Sequence, residues 1–252
     1  MKLGRGMRLP VIEAYGLVKS YGSTVALRGL NLVINEGEIY GLLGPNGAGK
    51  TTTLKILVSL LKPDRGHVRI MGIDLHRYRV EALRNVGYVP EDPYIFPNLV
   101  VREFLEFIGR LRGIPRDILK ERIERYLSIF DLQEKERDLI KTLSRGMLQK
   151  LAVISAFLPR PRVLIMDEPM SNMDPEAQHV FKEEVRKLVR NGSTALISSH
   201  MLDMVERFCT RVGIINKGVL IAEGEVDELK RRALGGEDAT LEEVFLAVVR
   251  GG

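Results

Sequence analysis

The segment Gly44-Pro45-Asn46-Gly47-Ala48-Gly49-Lys50-Thr51 constrains the fold of this chain more than any other feature. It fits the spacing G-x-x-x-x-G-K-[ST], follows the apolar run Ile39–Leu43 and opens a helical pattern, Lys50–Leu61, closed by Pro63. A strand feeding such a loop and helix turns backbone N–H groups toward one point, and the glycines keep side chains out of the way of phosphate oxygens. The free amides of the helix start add about half a positive charge there. Lys50 is placed to reach β- and γ-phosphates, and the Thr51 hydroxyl to ligate Mg²⁺. These residues predict a nucleotide site.

The rest of the chain supplies a matching scaffold. Val163–Asp167, Thr194–Ser199 and Val212–Ile215 are near-continuous apolar strands, separated by helical patterns at Glu176–Arg190 and Met201–Cys209. That alternation implies a parallel sheet covered on both faces. Short strands Ile12–Leu17, Asn31–Ile34, His67–Met71 and Val86–Val89 make an N-terminal β region. Between Asp92 and Arg160 the texture is helical, over Arg102–Arg112, Arg116–Phe130 and Ser144–Leu158. Leu148, Leu151, Ala152, Ser155 and Leu158 share one face of the third helix. The expected fold is α/β, a P-loop (RecA-like) parallel-sheet core with an N-terminal antiparallel β region and an inserted helical subdomain. The expected boundaries are 1–91 and 161–228 for the core with its β subdomain, 92–160 for the insert, and 229–252 for a helical tail. Thr240-Leu241-Glu242-Glu243 is a capping box within that tail.

Composition agrees. The 252 residues, 45% of them hydrophobic, can fill one core with an inserted lobe, and 24 Gly with 11 Pro exclude collagen-like and disordered classes. The net charge of +5 is densest at Lys2, Arg5 and Arg8 and at Lys230, Arg231 and Arg232, which read as solvated surface. Cys209 is the sole cysteine, so neither an internal disulfide nor a cysteine metal cage can form, and a reducing compartment is expected. Residues 1–10 carry no signal-peptide core, and no apolar run approaches the roughly 20 residues that span a bilayer. A membrane role therefore requires another chain.

Several residues predict chemistry. Val163-Leu164-Ile165-Met166-Asp167-Glu168 is a strand ending in two carboxylates, and strand C-terminal ends face the ligand crevice. Asp167 suits Mg²⁺ through water, and Glu168 can orient and deprotonate an attacking water; an ordinary Asp-Glu-Pro turn is the bland alternative. Asn216-Lys217-Gly218-Val219 places Val where a guanine-reading N-K-x-D element needs Asp, which favours ATP. His200 ends an apolar strand and is either a γ-phosphate contact or a solvated cap. Leu143-Ser144-Arg145-Gly146-Met147 opens a helix: Ser144 can cap it, and Gly146 lets a ligand approach the free amides. Read alone, that segment is an N-cap and nothing more.

Taken in order, the phosphate loop, Leu143-Ser144-x-Gly146, Asp167-Glu168, Ser171-Asn172-Met173-Asp174 and His200 resemble the ATP-binding-cassette (ABC) ATPases from about Tyr15 to Glu225. The resemblance implies that ATP is held by Gly44 to Thr51 and by Thr52, with Tyr21 stacked on adenine. It implies Glu168, His200 and Lys50 as catalytic residues and Thr51, Glu91 and Asp167 as Mg²⁺ ligands. It further implies a head-to-tail pair in which Ser144, Arg145, Gly146 and Asp174 of one copy meet the nucleotide of the other. Two departures stand out. Arg145 and Met147 alter the commonest signature, Leu-Ser-Gly-Gly-Gln, and Glu91 follows Gly87-Tyr88-Val89-Pro90 where most of the family has Gln. Both resemble the branch paired with export-type permeases (ABC-2-like, multidrug, sodium or antibiotic export).

The expected function is thus the ATP-hydrolysing subunit of a transporter, peripheral on the cytoplasmic face of the membrane. Its expected partners are a second cassette and an integral membrane permease, with no nucleic acid. Asp92–Val101, with Tyr94 and Phe96, is the expected docking place for the permease, although those aromatics would serve equally as loop anchors. The alternatives are a soluble assembly scaffold, for example of the iron–sulfur cluster type, and a nucleic-acid-associated cassette. The latter usually brings coiled coils, paired cassettes or zinc-binding cysteines, and none is seen in this sequence.

Overall fold

The computed structural model describes residues 9–234 and 240–251. Lys2, Arg5 and Arg8 lie outside the described residues, as does the side chain of Arg232.

β1 (Pro10–Tyr21) and β2 (Thr24–Asn35) pair antiparallel, and β4 (Arg65–Ile70) with β5 (Ile73–Asp74) completes a four-stranded sheet in the order β2-β1-β4-β5. Between β2 and β4 the chain enters a second sheet through β3 (Ile39–Leu43) and runs along α1 (Lys50–Leu57). The short α2 (Arg79–Leu83) precedes β6 (Val86–Val89), and the helical lobe follows as α3 (Val101–Leu111), α4 (Arg116–Ile129) and α5 (Arg145–Phe157). The chain then alternates through β7 (Val163–Asp167), α6 (Pro175–Arg190), β8 (Thr194–Ser199), α7 (Leu202–Phe208) and β9 (Arg211–Asn216). β10 (Val219–Glu225), α8 (Val226–Leu234) and α9 (Leu241–Gly251) finish it.

The second sheet has the order β10-β9-β3-β8-β7-β6, parallel except for the β9–β10 hairpin. Every residue of β3, β7 and β8 is buried, as expected of parallel strands with helices on both faces. Two apolar clusters fill those faces. One lies toward the helical lobe with α6, α7 and α9, and the other lies under β1, β2, β4 and α1. The strands thus end together beside Gly44, Asp167 and Ser199, and that shared edge is where the chemistry gathers.

Some sequence expectations shift. α1 stops at Leu57 rather than Leu61, because Ser59 turns left-handed (φ 56°) and Leu60 points outward. α5 has no single buried stripe: Gln149, Val153, Ile154, Ala156 and Phe157 are buried as well, while Leu148 and Ser155 are only half-buried. The Asn216–Val219 stretch is a hairpin connection in which Lys217 and Gly218 both take positive φ (47° and 80°), the geometry of a tight two-residue turn.

Candidate active site

β3 ends in the phosphate loop, and α1 begins at Lys50. Gly49, before the helix, has φ 111°, and a Cβ there would stand 2.8 Å from the Ala26 carbonyl oxygen, so only glycine fits without strain. Lys50 is 8% exposed, and its Nζ donates to the carbonyl oxygens of Gly44 (2.6 Å) and Pro45 (3.3 Å). A cavity of about 500 Å³ opens over the loop; Asn46, Lys50, Thr51 and Thr52 line it, and Glu91 and Glu168 close one side. Thr24, Val25 and Ala26 form a further part of its wall. Tyr21 is half exposed beside this wall, paired in register with Thr24 and with Lys19 Nζ 5.9 Å from its ring centre.

β7 carries the two carboxylates to the same edge. Asp167 is 1% exposed; its Oδ1 accepts from Ser198 Oγ at 2.5 Å, while its buried Oδ2 has no protein partner. Glu168 is held at φ 44°, a left-handed conformation rare outside glycine, with its N–H donated to the carbonyl (3.2 Å) and hydroxyl (3.1 Å) oxygens of Ser198. Its Oε2 lies 3.0 Å from His200 Nδ1. Burial, together with the charges of Asp167, Glu168 and Asp92, raises the Glu91 carboxyl above its usual range, against the lowering influence of Lys50. Tyr88 is pushed up to about 12 by burial and the same carboxylates, Asp167 and Glu91, so its phenol stays neutral.

Lys50 shares this cavity with Glu91 and Glu168, and Asp167 adds its charge beside Glu91, a surplus of negative charge that suits a divalent cation accompanying a phosphate chain. Among the described residues no three His, Cys, Asp or Glu side chains converge as a ready metal cage. The unpartnered Asp167 Oδ2 nevertheless fits Mg²⁺, which keeps water and phosphate oxygens and takes few protein ligands.

The second segment stands in the helical lobe and contributes nothing to these cavity walls. Ser144 Oγ accepts from Met147 N–H (3.3 Å) as the N-cap of α5, and Arg145 is exposed beside it. A Cβ on Gly146 would come within 2.6 Å of the Asn172 carbonyl oxygen, so α5 starts in close contact with the 171–174 turn. Asp174 caps α6 by accepting from Ala177 N–H (2.8 Å) and pairs with Lys150 Nζ (2.9 Å).

Three residues that the sequence reading passed over tie these parts together. Ser198 links both carboxylates, Lys150 reaches Asp174, and the fully buried Gln149 donates from Nε2 to the Pro169 carbonyl oxygen (3.2 Å). The only sequence signal for Ser198 is a Ser-Ser pair ending an otherwise apolar strand.

A phosphate loop, a strand-end carboxylate pair and a lobe inserted between them define a nucleotide-hydrolysing cassette. The profile of the family described as ABC transporter matches residues 27–171, and the chain belongs to that family as its ATP-binding, ATP-hydrolysing type of subunit. It is 35% identical over 226 residues to Nod factor export ATP-binding protein I of Ralstonia nicotianae, covering 90% of this chain and 70% of that one. It is 33% identical over 246 residues to a linearmycin resistance ATP-binding protein of Bacillus subtilis, covering 95% and 79%. A solved structure described as the ATP-binding subunit of an ABC transporter superposes with a TM-score of 0.89 at 31% identity, over 94% of this chain and 99% of that one.

Proposed function

We propose that this chain binds ATP with Mg²⁺ in the cavity above Lys50, pairs head to tail with a second copy or a homologous cassette, and drives a separate membrane permease in export. The observation that carries the hydrolytic reading is the contact between Glu168 and His200 beside the phosphate loop, with Asp167 Oδ2 buried and unpartnered next to it.

The residues divide the work. The loop amides and Lys50 cradle the phosphates, and Tyr21 stacks on adenine at the open end. Thr51, Asp167 and Glu91 would hold Mg²⁺, which when bound polarises the phosphate oxygens and offsets their charge. Glu168 accepts a proton from water as that water attacks the γ-phosphorus. The bond between the γ-phosphorus and the bridging oxygen breaks, and ADP leaves with that oxygen. His200 contacts the γ-phosphate and keeps the Glu168 carboxylate aimed. Ser144, Arg145, Gly146 and Asp174 meet the nucleotide of the opposite copy, which accounts for an amide-rich helix start that takes no part in its own cavity.

No helix among the described residues is long and apolar enough to cross a membrane, and the bilayer part is assigned to a separate permease. Tyr94 and Phe96 are 96% and 56% exposed on the lobe, and Phe96 meets Phe107 edge-on at 6.1 Å, an apolar surface suited to a permease helix at the cytoplasmic face. The relative named for Nod factor export supports an export direction.

Glu168→Gln tests the mechanism: ATP binding stays within about twofold while hydrolysis falls by about 100-fold or more. Normal turnover in that variant removes Glu168 as the base. Gentle solubilisation and mass spectrometry of co-purifying proteins tests the transporter role, a polytopic protein without an ATPase domain being the expected partner.

A further inference from the structure

The cavity that holds the Glu168–His200 contact has one wall that the catalytic motifs do not supply. It measures about 370 Å³, and alongside Gly44, Asn46, Glu91, Glu168 and His200 it is lined by Phe245 of α9. This helix lies beyond the residues matched to the family, 27–171, and far in sequence from the phosphate loop.

α9 is fixed in place by specific contacts. Leu241 N–H donates to Glu206 Oε2 at 2.9 Å, and the other oxygen of Glu206 accepts from Lys230 Nζ of α8. Thr240 and Glu243 close the capping box, through Thr240 N–H to Glu243 Oε2 (2.9 Å) and Glu243 N–H to Thr240 Oγ1 (3.2 Å). Leu241 and Val244 are buried in the main apolar cluster, and Val248 and Val249 pack against it. Glu206 belongs to α7, the helix that begins just after His200, so the chain that leaves His200 also carries the anchor for the start of α9.

We infer that Phe245 is a positioning residue for ATP hydrolysis, an aromatic wall that confines His200 and excludes water from the side of Glu168 away from Thr51 and Thr52. The inference rests on the proposed roles of Glu168 and His200. His200 is 62% exposed at its side chain and is oriented by its contact with Glu168, so an apolar face lining the same cavity restricts the ring to fewer rotamers. The same face lowers the local polarity around a carboxylate that must take a proton from a single water. Phe245 lines the cavity on the His200 side and not the one over Thr51 and Thr52, so it is expected to affect turnover more than nucleotide capture.

The test is steady-state ATPase kinetics on the full chain with saturating Mg²⁺. Phe245→Ala lowers kcat by about five- to tenfold with KM for ATP within about twofold, and Phe245→Leu recovers part of the loss. Leu246→Ala, exposed on the same helix, changes neither constant. Glu206→Gln, which weakens the anchor and leaves Phe245 intact, lowers kcat in the same direction and carries the test together with Phe245→Leu if Phe245→Ala does not fold. A wild-type kcat in Phe245→Ala overturns the inference, as does a loss shared equally by KM and kcat and not recovered by Leu. His200→Ala separates the two levels. If it is inactive while Phe245→Ala is normal, only the role of Phe245 is lost. If it turns over normally, the underlying assignment of His200 fails and the inference falls with it.

Discussion

The hydroxyl of Ser198 donates to Asp167 Oδ1 across 2.5 Å, joining the ends of β8 and β7 at the point where the phosphate loop begins. The same hydroxyl accepts Glu168 N–H at 3.1 Å. One small side chain therefore fixes the neighbour of the cation and the backbone of the base together. It leaves Asp167 Oδ2 as the carboxylate oxygen turned away from the protein's own donors.

Ser198→Ala removes that donor and leaves both oxygens of a buried carboxylate without a hydrogen-bond partner. A buried charged group stripped of a donor costs about 1–3 kcal/mol, more where no water reaches it. The expected result is a lowered melting temperature that Mg²⁺-ATP partly restores, because a bound cation supplies charge compensation to Asp167. Thermal denaturation with and without Mg²⁺-ATP measures both, and an identical deficit in the two conditions removes Asp167 from the cation site.

Gln149 connects α5 to the segment following Glu168 through its bond to the Pro169 carbonyl oxygen, while its own Oε1 is buried and unpartnered. Gln149→Leu loses one hydrogen bond and also removes an orphan acceptor, so the net change in stability stays within about 1 kcal/mol. Gln149→Glu places a charge of similar size in the same buried position with no donor, and costs about 3 kcal/mol or more. Urea denaturation of the pair distinguishes a bond that matters for packing from one that matters only for polarity.

Much of this was legible in the sequence because the strong signals are local. β3, β6, β7 and β8 carry near-continuous apolar runs bounded by glycine, proline or charge, and their ends were readable to the residue. β10 was missed because Val219–Glu225 mixes Ala, Gly and Glu into a half-buried edge strand with no clean period. Ser198, Gln149, Lys150 and Phe245 were missed for a different reason: none belongs to a recognisable spacing. Each acquires meaning only when the fold sets it against Asp167, Pro169, Asp174 or His200.

Asp174 predicts a pH signature. Its carboxyl is held below its usual range first by the Ala177 N–H that it caps and then by Lys150. A lowered folded-state pKa gives stability that is present above the unfolded value, about 3.9, and lost as pH falls through the lower folded one. Asp174→Ala therefore costs about 1 kcal/mol at pH 7, a typical helix-cap loss, with the ion pair to Lys150, solvated on its Asp174 side, adding little. The difference from the unmodified protein shrinks below about pH 4. Asp174→Asn keeps a capping oxygen and loses less. Chemical denaturation at pH 7 and near pH 3 checks the sign, and a gap that widens toward acid contradicts it.

Glu91 stands where a neutral glutamine is the commoner family choice, on the wall shared by the cavity over Lys50 and the cavity beside His200. A carboxylate there adds negative charge near Asp167 and Glu168 and so draws a divalent cation more strongly than an amide does. Glu91→Gln keeps an oxygen ligand of the same reach while removing the charge. The expected outcome is unchanged ATP binding, turnover altered several-fold, and a higher Mg²⁺ concentration for half-maximal rate. Titrating Mg²⁺ at fixed ATP reads the effect directly. Rates identical to the unmodified protein across the whole range would show that Glu91 faces the site without touching the cation, and would leave the metal to Thr51 and Asp167.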